Sequence, residues 1–275
     1  MKMTPFVSKC LLLATLASGV SCIQRNAEGR QTLLLESSSD LNQQSGALYA
    51  EQIAKGKLST NAKQNAIVQR VGQRVIEQAQ RLYPQHCQGF KWEVNLLESG
   101  DANAYCMPGG KIAVYTGILP VCENEAALAA IMGHEVCHAL LDHGNERISQ
   151  AKIAGGAMAV AQAVSTQVEA SDTSKKVALT ALGLGSQYGV LLPFSRIHET
   201  EADRMGLRLS AAAGYDPAEA PRLWERMSKL GGKAPMEFLS THPSNERRIN
   251  ELNALQAEVK PLYEKSLKSG LGERF

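Results

Sequence analysis

Aromatic residues make up only 5% of this 275-residue chain, too few for the cross-strand aromatic pairs that stabilise sandwiches and barrels. A helix-rich domain built on Ala, Val and Leu fits better. An excess of one charge is also missing. The 29 Lys and Arg nearly balance 27 Asp and Glu, leaving +2, which excludes nucleic-acid binding through a basic face. No internal repeat is present, so appended tandem helical hairpins are excluded as well. None of the six cysteines stands in a CxxC pair, which argues against a cysteine zinc site or a thioredoxin-type redox pair. No apolar run reaches the roughly 20 residues that a spanning helix needs. The Ala/Gly/Val-rich stretches 153–164 and 177–192 are interrupted by Gln162, or by Ser186 and Gln187. Both read as core helices or as a cover over a cleft.

What is present begins with Lys2 and Lys9, then an apolar run over residues 10–20 that ends in small residues before Cys22. This pattern predicts a secretory signal over residues 1–21. Cleavage there would leave Cys22 as the lipidated N-terminus of a bacterial-type lipoprotein. Ile23, in place of Asp, predicts transfer to the outer membrane, so the expected location is periplasmic and lipid-anchored. Residues 22–45, rich in Ser, Gln and Asn, predict a flexible tether, followed by one domain over residues 46–275. In an oxidising compartment Cys87, Cys106, Cys122 and Cys137 allow three pairings and predict one or two disulfides.

Apolar residues at Ile67, Val68, Val71, Val75, Ile76 and Ala79 keep a helical period that stops before Pro84. Residues 90–97 alternate as a strand does. Residues 104–107 and 111–115 read as two short strands around the turn Pro108-Gly109-Gly110. The rest is helical: about 124–143 closed by Gly144, 194–213 closed by Gly214, and later helices starting near Pro217 and Ser244. The expected fold class is α+β, mostly helical, with a small sheet.

The chemistry lies in His134-Glu135-Val136-Cys137-His138. On a helix, residues four apart stand on one face, so both imidazoles can reach one zinc ion. Glu135 beside the first ligand can act as general base on a water and then as acid toward a leaving amine. The surrounding Leu128, Ile131, Met132, Val136 and Leu140 predict a buried helix, where two unpartnered imidazoles would be costly. A third ligand is sought in Ser195-Arg196-Ile197-His198-Glu199-Thr200-Glu201-Ala202-Asp203. Glu199 and Asp203 share a helix face, whereas Glu201 lies roughly 200° round. Glu199 is therefore the expected ligand and Asp203 the expected acceptor for the outer ring N–H of a ligating histidine. Glu201 reads as a solvated face and His198 as a surface or capping side chain. His143, five residues after His138, reads as turned away from the metal.

These blocks, His134-Glu135-x-x-His138 and Glu199-x-Glu201-Ala202-Asp203-x-x-Gly206, resemble the M48 family of zinc metallopeptidases, in its Oma1-, LoiP- and BepA-like branch. Two further segments agree: Asn103-Ala104-Tyr105 with the 108–117 segment, and Thr241-His242-Pro243 with Arg248-Ile249. The resemblance implies a zincin-like (gluzincin) domain with one zinc per chain, and an exposed edge strand at Asn103, Ala104, Tyr105 and Cys106 that receives an extended substrate. It gives His242 two roles, an oxyanion stabiliser or a removable fourth ligand that keeps the enzyme latent, and leaves both open. Arg248 stabilises the tetrahedral intermediate, orients a carboxylate or is an ion-paired structural residue. Cys137 within the motif and Cys106 in the edge strand either form a disulfide near the site or, more plainly, are buried thiols. The implied activity is a zinc-dependent endopeptidase acting on misfolded or unassembled envelope proteins. A zinc-containing periplasmic chaperone or assembly factor with little proteolysis is the competing reading, against which Glu135 argues. A small-molecule metal hydrolase has no feature in its favour.

Overall fold

The computed structural model describes residues 23–164, 195–230, 237–242 and 246–275. In chain order the elements are β1 (Ile23–Arg25), β2 (Gln31–Leu33), α1 (Ser38–Lys55), α2 (Ala62–Leu82), β3 (Glu93–Leu97), β4 (Ala104–Met107) and β5 (Lys111–Tyr115). After a 3-10 turn come α3 (Leu119–Cys122), α4 (Glu125–Leu140), α5 (His143–Val164), α6 (Arg196–Ala212), α7 (Glu219–Leu230), α8 (Glu237–Thr241) and α9 (Glu246–Lys265). The α+β, mostly helical class expected from the sequence is the one found.

Helix α2 starts where the Asn61 side chain accepts from the Gln64 amide at 3.1 Å, and it buries the expected stripe from Ile67 to Ala79. The sheet order is β3-β5-β4, with β3 parallel and β4 antiparallel to β5. The β4–β5 turn needs Gly109 and Gly110, whose φ angles are +83° and +82°. A Cβ on Gly110 would also stand 2.7 Å from the Trp92 ring. One face of the sheet joins α2 and α4 in the main core. The other is covered by α1, where the Tyr49 hydroxyl donates to the Ile112 carbonyl at 2.5 Å, beside Leu97, Met107 and Ala113.

Helix α4 carries the HExxH motif and is buried along nearly its whole length. Asn124 caps it through the Ala127 amide at 3.0 Å. The C-terminal tail satisfies its first amides, with the Leu271 and Glu273 carbonyls accepting from Ala126 and Glu125 at 3.1 and 3.0 Å. Helix α6 crosses α4 backbone to backbone. A Cβ on Gly206 would meet the His134 amide nitrogen at 2.7 Å, and one on Gly133 the Gly206 carbonyl at 2.8 Å. Trp224 on α7, His242 just after α8 and Arg248 on α9 converge on this crossing.

Three expectations differ from what is found. Residues 23–45 are not a bare tether. They form the β1–β2 hairpin and the start of α1, with Leu34 buried, the Leu35 amide donating to Ser149 Oγ at 2.8 Å and Asn145 Nδ2 donating to the Glu36 carbonyl at 2.9 Å. Helix α4 ends at Leu140 rather than His143, because Asp142 takes a left-handed φ of +55° and a new helix begins at His143. The expected disulfides are absent, and Cys87, Cys106, Cys122 and Cys137 are free thiols. Burial raises all four above the ordinary thiol range, Cys87 to about 11, so they act as protonated apolar fill. The 177–192 stretch lies outside the described residues. No described helix is long and apolar enough to cross a membrane.

Gly206→Ala forces α4 and α6 apart. It is expected to cost about 1–3 kcal/mol, the usual range for overpacking. For a domain of this size that lowers the melting temperature by roughly 2–10 °C. An unchanged midpoint in thermal unfolding would mean that the crossing yields without cost.

Candidate metal centre

Helix α4 places His134 and His138 one turn apart, and α6 brings Glu199 against them. The His134 and His138 Nε2 atoms are 3.0 Å apart, and Glu199 lies 3.6 Å from the first and 3.5 Å from the second. His242 completes the group, its Nδ1 3.2 Å from His134 Nε2 and 3.0 Å from Glu199 Oε1. One ligand atom from each of the four buried residues lies within 4.8 Å of the others. Tetrahedral zinc with bonds of about 2.0–2.1 Å has donors roughly 3.3 Å apart, the spacing seen here, and it takes imidazole nitrogen and carboxylate oxygen. The donor set and its spacing fit a zinc ion.

Asp203 stands one turn after Glu199. Its Oδ1 lies 3.0 Å from His134 Nδ1, so a ring N–H donated there leaves Nε2 with a lone pair facing the cluster. Arg248 grips the same carboxylate, with Nε to Oδ2 at 2.5 Å and Nη2 to Oδ1 at 2.8 Å, and its Nη1 reaches Glu199 Oε2 at 2.6 Å. The guanidinium lies over the Trp224 ring, 3.7 Å from its centroid. Arg248 is thus ion-paired with two carboxylates, and its Nη2 also lies 3.2 Å from each His134 ring nitrogen. Burial alone would raise Glu199, but Arg248 and hydrogen bonds from His138 and His242 hold it far below the carboxylate range. Asp203 is likewise held low against burial by Arg248 and His134.

Glu135 is buried at 3% exposure beside the donors, 4.0 Å from His134 Nε2 and 3.4 Å from His242 Nε2. Burial raises its pKa, against the pull of His242 and His134. Its Oε1 has no hydrogen-bond partner among the described residues. Strand β4 packs against α4, and the Glu135 charge contributes to raising the Cys106 thiol. Its outer edge pairs with no strand among the described residues, as the edge-strand reading expects. Asn103 leads into it, its side chain accepting from the Ala104 amide at 2.8 Å, and the Tyr105 hydroxyl donates to Gln52 Oε1 on α1 at 2.7 Å.

Behind His138 lies a polar cluster that sequence reasoning missed. His143 is fully buried, its Nδ1 2.9 Å from His138 Nδ1 and its Nε2 3.0 Å from Glu201 Oε2. The break at Asp142 is what turns it inward. Glu201 does lie on the far side of α6 from the candidate metal cluster, but that side is covered by the β1–β2 hairpin and the start of α5. Arg30 donates from Nε to Glu201 Oε1 at 2.7 Å and pairs with Glu146 through both terminal nitrogens at 2.8 and 2.7 Å. His198, 1% exposed, stacks on His143 with centroids 4.3 Å apart and reaches Glu146 at 3.1 Å. The sequence read it as a surface or capping side chain, whereas only its backbone takes part in a cap, the amide donating to Ser195 Oγ at 3.2 Å.

Residues 62–256 match peptidase family M48. The chain belongs to this family. Among curated relatives, the mitochondrial metalloendopeptidase OMA1 of Schizosaccharomyces pombe is 38% identical over 62% of this chain and 49% of its own length. The mitochondrial metalloendopeptidase OMA1 of Danio rerio is 30% identical over 84% and 49%. The β-barrel assembly-enhancing protease of Escherichia coli is 26% identical over 62% and 36%. The chain thus spans about half the length, or less, of these relatives. Their names overturn the periplasmic, outer-membrane location expected from the first residues, since the stronger matches are mitochondrial proteins and the bacterial one is weaker. Cys22, the expected lipid acceptor, lies outside the described residues.

The cluster behind His138 gives the metal-free protein an acid sensitivity. Burial would raise Glu146 and Glu201, but hydrogen bonds from His198, His143 and Arg30 hold both at about 2. Burial pushes His143 down to about 4. Each is a depressed value, so the unfolded chain binds more protons and stability falls with acid. The loss begins as pH drops through the free histidine value near 6.5 and continues from the free carboxylate value near 4.5 down to about 2. Asp142, raised by burial to about 6, opposes this between pH 6 and 4. Urea midpoints of the apo protein across this range are expected to fall with acid, and Glu201→Gln should flatten the fall below pH 4.5.

Proposed function

We propose that this chain is a zinc-dependent endopeptidase acting on misfolded or unassembled proteins, with His134, His138 and Glu199 as metal ligands and Glu135 as general acid and base. The observation that carries the reading is the buried Glu135 carboxylate beside the donor cluster, with an oxygen that makes no hydrogen bond among the described residues. Zinc, when bound, polarises the scissile carbonyl and lowers the pKa of a water toward about 7. Glu135 takes the proton of the attacking water and returns it to the leaving amine. Asp203 fixes the His134 ring, and Arg248 fixes Asp203 and Glu199. A substrate in extended form would add its main chain to the free edge of β4, from Asn103 to Cys106, which favours unfolded segments over folded domains.

For His242, the latent reading is favoured. Its Nδ1 stands among the other donors at 3.0–3.2 Å, in the position a substrate carbonyl and water need. Release of this side chain opens the site.

The test measures zinc content and cleavage of an unfolded protein such as casein by wild type, Glu135→Gln and His242→Ala. Glu135→Gln is expected to keep zinc and lose cleavage by a factor on the order of 10² to 10⁴. His242→Ala is expected to keep zinc and cut faster than wild type. Zinc bound by all three with no cleavage by any would replace the protease with a client-binding protein.

A further inference from the structure

We propose that His143 is a positioning residue for the metal centre, the middle link of a directed hydrogen-bond relay from Arg30 through Glu201 and His143 to His138. The inference rests on the ligand assignment above and goes beyond it, to a residue outside the metal's reach.

The relay follows from atoms and proton counting. For His138 to offer Nε2 to a metal, its ring hydrogen must sit on Nδ1. That Nδ1 faces His143 Nδ1 at 2.9 Å, and two ring nitrogens this close cannot both carry a hydrogen. His143 Nδ1 must therefore be the acceptor, which places the His143 hydrogen on Nε2. That nitrogen faces Glu201 Oε2 at 3.0 Å, an acceptor only. Glu201 is held in turn by Arg30, Nε to Oε1 at 2.7 Å and Nη2 to Oε2 at 2.9 Å, and by Asn26 Nδ2 at 3.2 Å. Every donor and acceptor then has one orientation. Reversing either ring would set two hydrogens face to face or point an N–H at the metal.

The two histidine ligands are thus oriented by different means. His134 meets its carboxylate directly, through Asp203 at 3.0 Å. His138 meets Glu201 at one remove, because His143 stands between them. The stacked His198, anchored to Glu146, holds the plane of the His143 ring from the side. The far end of the relay lies in the β1–β2 hairpin, so the order of residues 23–33 and the aim of a zinc ligand are coupled.

The test uses the full chain with two substitutions at one position. His143→Ala removes the acceptor, whereas His143→Asn keeps an amide oxygen for His138 and an amide N–H for Glu201. Zinc affinity is measured by competition with a chromophoric chelator, and ligand geometry by the visible absorption of the cobalt(II)-substituted protein. Loss of an outer hydrogen-bond partner typically weakens metal binding about 10- to 100-fold. His143→Ala is expected to show that loss with shifted cobalt bands, and His143→Asn to recover most of both. Arg30→Gln should weaken binding in the same sense and to a smaller extent. If Ala and Asn bind zinc alike, or Ala matches wild type with unshifted bands, His143 merely fills space and the relay is wrong. His138→Ala separates the two levels of inference: if it binds zinc as tightly as wild type, the ligand assignment falls and this inference with it.

Discussion

Two helices touching through bare backbone make the metal centre possible. Side chains at Gly133 and Gly206 would normally hold α4 and α6 some 8–10 Å apart. Without them the Gly206 backbone comes against the His134 amide, and the short Glu199 and Asp203 side chains then reach both nitrogens of the His134 ring. The same contact brings Glu201 toward His143. A crossing one methyl wider would leave the carboxylates short of both rings.

Closeness of this kind concentrates charge in a buried place. Glu135, Glu199 and Asp203 are buried with Arg248 as the guanidinium among them, and fully ionised they carry a net charge of −2. Burying that charge is costly unless it is compensated. Arg248 lies against two of these carboxylates, and burial raises the pKa of Glu135. A bound dication would cancel the remaining charge.

The candidate ligands were legible in the sequence through helical spacing. His134 and His138 share a face by their separation of four, and so do Glu199 and Asp203. The elements around them were legible for similar reasons, from the stripe of α2 to the Gly109-Gly110 turn. His143, Glu201, His198 and Glu146 were not. Their inward aim depends on one residue, Asp142, leaving the helical region, and on a hairpin more than a hundred residues away covering α6. A periodic reading that runs α4 straight through Asp142 turns His143 outward, and a solvated far face for α6 follows from not knowing what covers it. The N-terminal segment was misread for a compositional reason. Its buried positions, Asn26, Thr32, Leu34, Ser45 and Tyr49, are few and widely spaced among Ser, Gln and Asn, so no apolar period marks them.

The hairpin and the C-terminal tail also separate two kinds of boundary. The stretch common to the family, residues 62–256, includes every group expected to touch zinc or substrate. It leaves out Arg30, which ends the relay behind His138, Tyr49, which closes the outer face of the sheet, and Leu271 and Glu273, whose carbonyls cap α4. The family match is therefore shorter than the packed unit the structure describes. A polypeptide trimmed to the family limits would carry the whole reaction chemistry on a frame lacking both of its outer braces.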